Sequence, residues 1–281
     1  MCLGNEYHAN EQLNFSQDKH IEKCLYKTNG ECVLDKLVDT GQKLLARTQY
    51  LNYGREIIVG WCKKYVDIIN PKMVRILDLG CGQAADLLNV KKALSDKDLE
   101  LFGVECYGPN IEHARQHGIL VHQLNIERQS MPYPDSFFDI IIANQIIEHT
   151  KEIFWIFSEI SRTLKKGGIL IVGVPNLLSL HHRAMMFFGQ QPISLELLGP
   201  HVRGFTVPGF RKFVQADDYF KVIEVRGSGF YPFHPSISKI LSQLFPTFSV
   251  GLFFLIRRQA NEGNFVHVLD TRFYETPYFT G

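Results

Sequence analysis

Apolar positions change their period along the chain. Between Val74 and Val174, short continuous apolar runs alternate with stretches in which apolar residues recur at helical spacing. The runs VRILDL (Val74 to Leu79), LELFGVE (Leu99 to Glu105), ILVHQL (Ile119 to Leu124), FDIIIAN (Phe138 to Asn144) and GILIVGV (Gly168 to Val174) read as strands. Between them, AADLLNVKKALSD, PNIEHARQHG and EIFWIFSEISRTLKKGG read as helices, the last closed by its Lys-Lys-Gly-Gly stop. Apolar strands separated by helices imply a parallel sheet covered on both faces, an open, doubly wound α/β domain.

The flanks have a different rhythm. Residues 1 to about 30 are polar and weakly periodic, as expected of a loosely packed arm. From Glu31 to Asp67, apolar residues such as Leu34, Leu37, Val38, Ile57, Ile58, Trp61 and Tyr65 predict two or three amphipathic helices. Past Pro175, the segment from Asn176 to Thr206 is too long for an ordinary connection and predicts a lid or substrate surface. A helix near Val207 to Val214 and strands FKVIEVRG (Phe220 to Gly227) and GLFFLIRR (Gly251 to Arg258) follow. The apolar region from Ser236 to Ile256 is interrupted by Ser, Lys, Gln, Pro and Gly, so it reads as helix, break and strand and not as a transmembrane segment. The expected organisation is an N-terminal arm with helices over 1–70 covering the site, an α/β domain over 71–260 with its insertion at 176–206, and a tail over 261–281.

Composition narrows the partners. A chain of 281 residues suits one large domain with an extension. Lys and Arg total 30 against 29 for Asp and Glu, so the net charge of +1 offers no field for a polyanion, and nucleic acid is not an expected partner. The six cysteines are scattered, with neither a C-x-x-C pair nor zinc spacing, which predicts free thiols and no metal. The start MCLGNEYHANEQ lacks a signal-peptide pattern, so a cytoplasmic protein is expected.

Candidate chemistry begins at DLGCGQAA. Gly80, Gly82 and Ala85 satisfy G-x-G-x-x-[GA] after a strand, and Glu105 ends the next strand where it could hold two ribose hydroxyls. These features suit NAD and other adenosine cofactors equally. Asp78 separates them, because a carboxylate there would repel a pyrophosphate and attract a cofactor carrying an ammonium and a sulfonium. S-adenosylmethionine has both groups; the alternative for Asp78 is a loop-bracing or capping residue.

VRILDLGCG with Glu105, LNIERQSMPYPDSFFDIIIANQIIEHT and EISRTLKKGGILIVGVPN together closely resemble the class I S-adenosylmethionine-dependent methyltransferases, in the small-molecule branch that includes quinone-biosynthesis O-methyltransferases. The resemblance runs from Val74 to about Arg258 and implies seven strands in order 3-2-1-4-5-7-6, the last antiparallel, in the doubly wound fold of this family. It implies that Asp78 orders the methionine end of the cofactor, that the Gly80 and Gly82 backbone approaches it, and that Glu105 binds the ribose diol. Cys106 would lie against the adenine, Asn125 and the Ile126 backbone would reach its edge, and Asn144 would line the transfer site. Two positions depart from the pattern: Ala84 replaces a frequent third glycine, which requires negative φ there, and Asn125 replaces an acidic adenine contact.

The sulfonium already activates the methyl group, so the protein mainly aligns an acceptor, and a hydroxyl acceptor must also lose a proton. His149 in NQIIEHT and His201 in GPHVRGFT are the candidates for that task, with Arg203 meeting an anionic group on the acceptor. Otherwise Glu148 and His149 start a helix and the 201–203 segment pins the insertion to the domain. His181 and His182 read as surface or packing residues. Met and Phe in LLSLHHRAMMFFG suit either core packing or a lid over an apolar small-molecule acceptor. The expected activity is methyl transfer to a small molecule, with oxygen preferred; an NAD oxidoreductase, an RNA methyltransferase and a non-catalytic binding protein are the competing readings.

Overall fold

The apolar runs assemble into one seven-stranded sheet with strand order β3-β2-β1-β4-β5-β7-β6. Its strands are β1 (Val74–Leu79), β2 (Leu99–Glu105), β3 (Leu120–Gln123), β4 (Phe138–Asn144), β5 (Leu164–Pro175), β6 (Phe220–Ser228) and β7 (Gly251–Arg258). The first five pair in parallel, and β7 runs antiparallel between β5 and β6. The computed structural model describes residues 54–259 and 265–269. The expected arm, the helices proposed ahead of residue 54 and all of the tail except 265–269 lie outside the described residues. Everything described belongs to a compact unit spanning Asn52–Gly281.

Helices cover both faces: α1 (Arg55–Ile69), α2 (Ala85–Ala93), α3 (Gly108–Gln116), α4 (Ile153–Thr163), α5 (Leu180–Phe187), α6 (Val207–Val214) and α7 (Pro235–Leu244). The strands are apolar on both sides because both sides are covered, and two buried cores result. One core joins Leu77, Phe138, Ile141, Phe157, Phe210 and Phe254. The other joins Ile58, Trp61 and Val66 of α1 to Ile76, Ile140, Ile142 and Ile171 of the sheet.

Two local features differ from the sequence expectation. The helix ahead of β5 stops at Thr163, and Leu164 already pairs with Phe138, so Lys-Lys-Gly-Gly lies inside the strand and does not end the helix. A register shift between Phe138 and Ile140 absorbs the added residues. Lys165 Nζ meets Asp139 Oδ1 at 2.6 Å, and a Cβ on Gly168 would lie 2.9 Å from the Asp139 carbonyl oxygen. The second difference is Ala84, which adopts φ 62° and ψ 26° instead of the negative φ expected of a residue replacing glycine.

Gly54 fixes where α1 begins. Its φ is +63°, and a Cβ there would lie 2.1 Å from the ring of Phe253. Phe253 pairs with Gly173 of β5, and Gly173 pairs with Asn144 at the end of β4. Packing therefore delivers Arg55 to the carboxyl end of the sheet, where doubly wound folds bind ligands.

Candidate functional site

Three consecutive elements shape the floor of the site. Asp78 is the last residue but one of β1, the Gly80–Ala84 loop turns the chain, and α2 starts at Ala85. Gly80, Gly82 and Ala84 have φ of 64°, 52° and 62°, three left-handed residues at alternate positions. Gly80 needs to lack a side chain, because a Cβ would lie 2.7 Å from Ile146 Cδ1. Around Gly82 a Cβ would enter open space, with Asn110 Nδ2 its nearest neighbour at 4.0 Å. That opening beside a glycine backbone can receive a ligand group. Ala84 is fully buried and carries a left-handed backbone penalty of about 1–2 kcal/mol. Its carbonyl accepts the Leu88 N–H at 2.9 Å, so the strained residue also starts α2.

Glu105, at the end of β2, ties this loop to its neighbour. Its Oε2 accepts from the Gly82 N–H at 2.9 Å, and its Oε1 accepts from the N–H groups of Cys106 at 2.7 Å and Tyr107 at 3.0 Å. The carboxylate thus sits at the lip of the opening. Asn125, past β3, accepts the Glu127 N–H on Oδ1 at 2.9 Å and forms a turn that carries Ile126.

The charge of the site is acidic. Asp78 is 3% exposed, and burial, followed by the neighbouring carboxylates Asp86 and Glu105, pushes its pKa well above the usual range, against a smaller opposing pull from Arg55. Asp86 is raised by burial too, with Asn144 and Arg55 opposing the shift. Its Oδ2 accepts from Asn144 Nδ2 at 2.8 Å, and Arg55 Nε lies 3.2 Å from its Oδ1. Three carboxylates therefore face one guanidinium, an arrangement that favours a cationic ligand. Arg55 and Asp86 carry no role in the sequence reading, and Glu148 carries only that of a helix start. The one local hint at Arg55 is a cation in the first turn of a helix, where the helix dipole disfavours it.

Past β4, Gln145 adopts φ 56° and donates its N–H to the Gly173 carbonyl at 2.8 Å, turning the chain into a short helix, Ile147–His149. Here Glu148 is 1% exposed, and burial lifts its pKa to about 7. Glu148 Oε2 has no hydrogen-bond partner among the described residues. His149 is half-buried, and desolvation lowers its pKa. Its Nδ1 lies 3.2 Å from the Pro200 carbonyl oxygen, and its ring centroid is 4.7 Å from that of His201.

The insertion brings His201 to this position. The Val202 N–H donates to the Glu148 carbonyl at 2.8 Å, and Arg203 donates to the carbonyls of Thr150 at 3.1 Å and Lys151 at 2.7 Å. Arg203 thus fastens the insertion to the turn after β4. His182 is buried and bonded through Nδ1 to the Asn176 carbonyl at 3.0 Å, a packing role. His181 is also desolvated, its pKa lowered to about 4. Cys62 and Cys81 are free thiols.

Comparison with known proteins places the site in context. Residues 77–172 match a family described as a methyltransferase domain. A malonyl-(acyl-carrier protein) O-methyltransferase of Legionella pneumophila is 26% identical over 58% of this chain and 49% of its own length. A ubiquinone biosynthesis O-methyltransferase of Ruegeria sp. is 24% identical over 55% of this chain and 60% of its own. The chain thus spans less than two thirds of either relative. Among solved structures, a chain from a complex between the Haloferax volcanii Trm112 methyltransferase activator and a methyltransferase superposes with a TM-score of 0.52 at 14% identity, covering 82% of this chain and 98% of the other. That likeness is one of fold.

Proposed function

We propose that the protein transfers a methyl group from S-adenosylmethionine to a hydroxyl oxygen of a small molecule, a reading supported by the match of residues 77–172 to a methyltransferase domain and by the strand order of the sheet. The observation that carries this reading is the buried acidic cluster at the carboxyl end of β1. Asp78 and Asp86 suit the cationic amino acid end of the cofactor, and a pyrophosphate would be repelled there. Open space at Gly82 admits the cofactor backbone, while Glu105 lies where the ribose hydroxyls would meet a carboxylate. Cys106, Asn125 and Ile126 would border the adenine, and Asn144, already oriented by Asp86, would border the transfer site.

When bound, the cofactor supplies an electrophilic methyl on sulfur. This chain then needs to hold the acceptor oxygen in line and let its proton depart. His149 and His201, gathered by the insertion, are the residues assigned to the acceptor end. The O-methyltransferase names of the two relatives support oxygen as the acceptor atom. Exposed Phe187, Phe188, Leu197 and Leu198 in the insertion support an apolar acceptor body.

Calorimetric titration tests the cofactor assignment. Wild-type protein is expected to bind S-adenosylmethionine with micromolar affinity and to ignore NAD, and Asp78→Ala and Glu105→Ala are expected to weaken binding at least tenfold. Equal affinity in all three proteins overturns the site. Loss of methyl transfer with retained cofactor binding in His149→Ala and His201→Ala would support their place at the acceptor.

A further inference from the structure

Glu148, His149 and His201 each direct one ligand atom into a common space, with all three atoms within 4.8 Å of one another. No local pattern signals this, because α4, β5 and most of the insertion lie between His149 and His201, which share no metal-binding spacing. We propose that these residues form a site for a divalent first-row transition metal such as Zn2+.

Three observations converge on it. Glu148 Oε2 is buried and without a partner among the described residues, a position costly for a carboxylate unless something cationic meets it. Glu148 Oε1 lies 3.9 Å from His149 Nε2, so carboxylate and imidazole already face each other. Both imidazoles are held from behind by backbone carbonyls. His149 Nδ1 lies 3.2 Å from the Pro200 oxygen, and His201 Nδ1 lies 3.1 Å from the Ser194 oxygen. Donation of Nδ1–H to these carbonyls leaves the Nε2 lone pairs forward, the arrangement by which outer partners orient metal-binding histidines.

Zinc bonds of about 2.1 Å place tetrahedral ligand atoms about 3.4 Å apart, so modest side-chain rotation would close the set. Two imidazoles and one carboxylate suit a borderline transition metal better than Mg2+ or Ca2+, which prefer oxygen ligands. Three protein ligands leave a coordination position for an outside oxygen. The assignment of the metal site rests on the geometry alone; its use rests on the methyl-transfer reading. Coordination would acidify the acceptor hydroxyl, whose proton leaves to solvent water. The oxygen–methyl bond would then form as the sulfur–methyl bond breaks, with the imidazoles serving as ligands.

Chelator-stripped full-length protein, dialysed against Zn2+ and assayed for bound metal, tests the proposal, with Co2+ absorption reporting nitrogen and oxygen coordination. The wild type is expected to take up an equivalent of zinc that Glu148→Gln, His149→Gln and His201→Ala each lose, with at least tenfold weaker binding. His201 lies on the insertion outside the two cores, so its variant guards against misfolding, which thermal melts check independently. Zinc uptake in the folded His201→Ala protein equal to that of the wild type, or no uptake by the wild type, overturns the site. S-adenosylmethionine titration of the same samples separates this result from failure of the cofactor reading, because Asp78 and Glu105 are untouched.

Discussion

Asp78 sits with two like charges and one guanidinium in a place from which water is excluded. Its folded state holds a proton more tightly than the unfolded chain does. The sign of the linkage follows: this group imposes no penalty below its unfolded pKa of about 4, and its stability contribution is lost as pH rises through the raised folded value. Asp78→Asn is therefore expected to raise the stability of the ligand-free protein by about 1 kcal/mol at neutral pH, to change little in acid, and to lose cofactor affinity. Melting temperatures at pH 4 and pH 8, with titration of S-adenosylmethionine, would check both halves. Ala84 is a second strained position. Ala84→Gly should be nearly neutral, because relief of about 1–2 kcal/mol of left-handed strain offsets a lost buried methyl and added chain entropy. Ala84→Val should cost about 2 kcal/mol or more by denaturant unfolding, since a β-branched residue resists that backbone.

At the level of elements, legibility tracked how local the cause was. β1, β2, β4 and β7 match the apolar runs residue for residue, because the apolar density that marks each strand is local to it. The start of β5 was hidden because Lys165 pairs with Asp139 and Gly168 fits under a neighbouring strand, neither of which leaves a periodic trace. The glycine loop, Asp78 and Glu105 were readable as a motif. Arg55 and the meeting of Glu148, His149 and His201 were not, since the packing of α1 and the fold of the insertion create them. Arg258 is another nonlocal tie: its guanidinium, in a residue 5% exposed, donates to the carbonyls of Ser161 and Tyr219 at 3.0 Å each and Gln259 at 2.9 Å. Arg258→Met is expected to lower stability by about 2–3 kcal/mol in denaturant unfolding, because buried carbonyls lose charged donors.

For the whole molecule, the sheet order expected from the family resemblance is the order found. Ligand linkage offers a global check on what this scaffold holds. S-adenosylmethionine at a hundred times its dissociation constant should stabilise the fold by about 2.7 kcal/mol, visible as a raised melting temperature that NAD does not reproduce. The place of β7 has one more consequence. It is the last strand among the described residues, yet it lies between β5 and β6, pairing with Ile169–Pro175 of the one and Phe220–Ser228 of the other. During synthesis on the ribosome, β5 must emerge and wait, its outer edge unpaired, until residues up to Arg258 follow. That open edge is a template for another nascent chain. Slowing translation downstream of Pro175 should therefore increase aggregation of the newborn protein, while leaving the stability of the finished molecule unchanged.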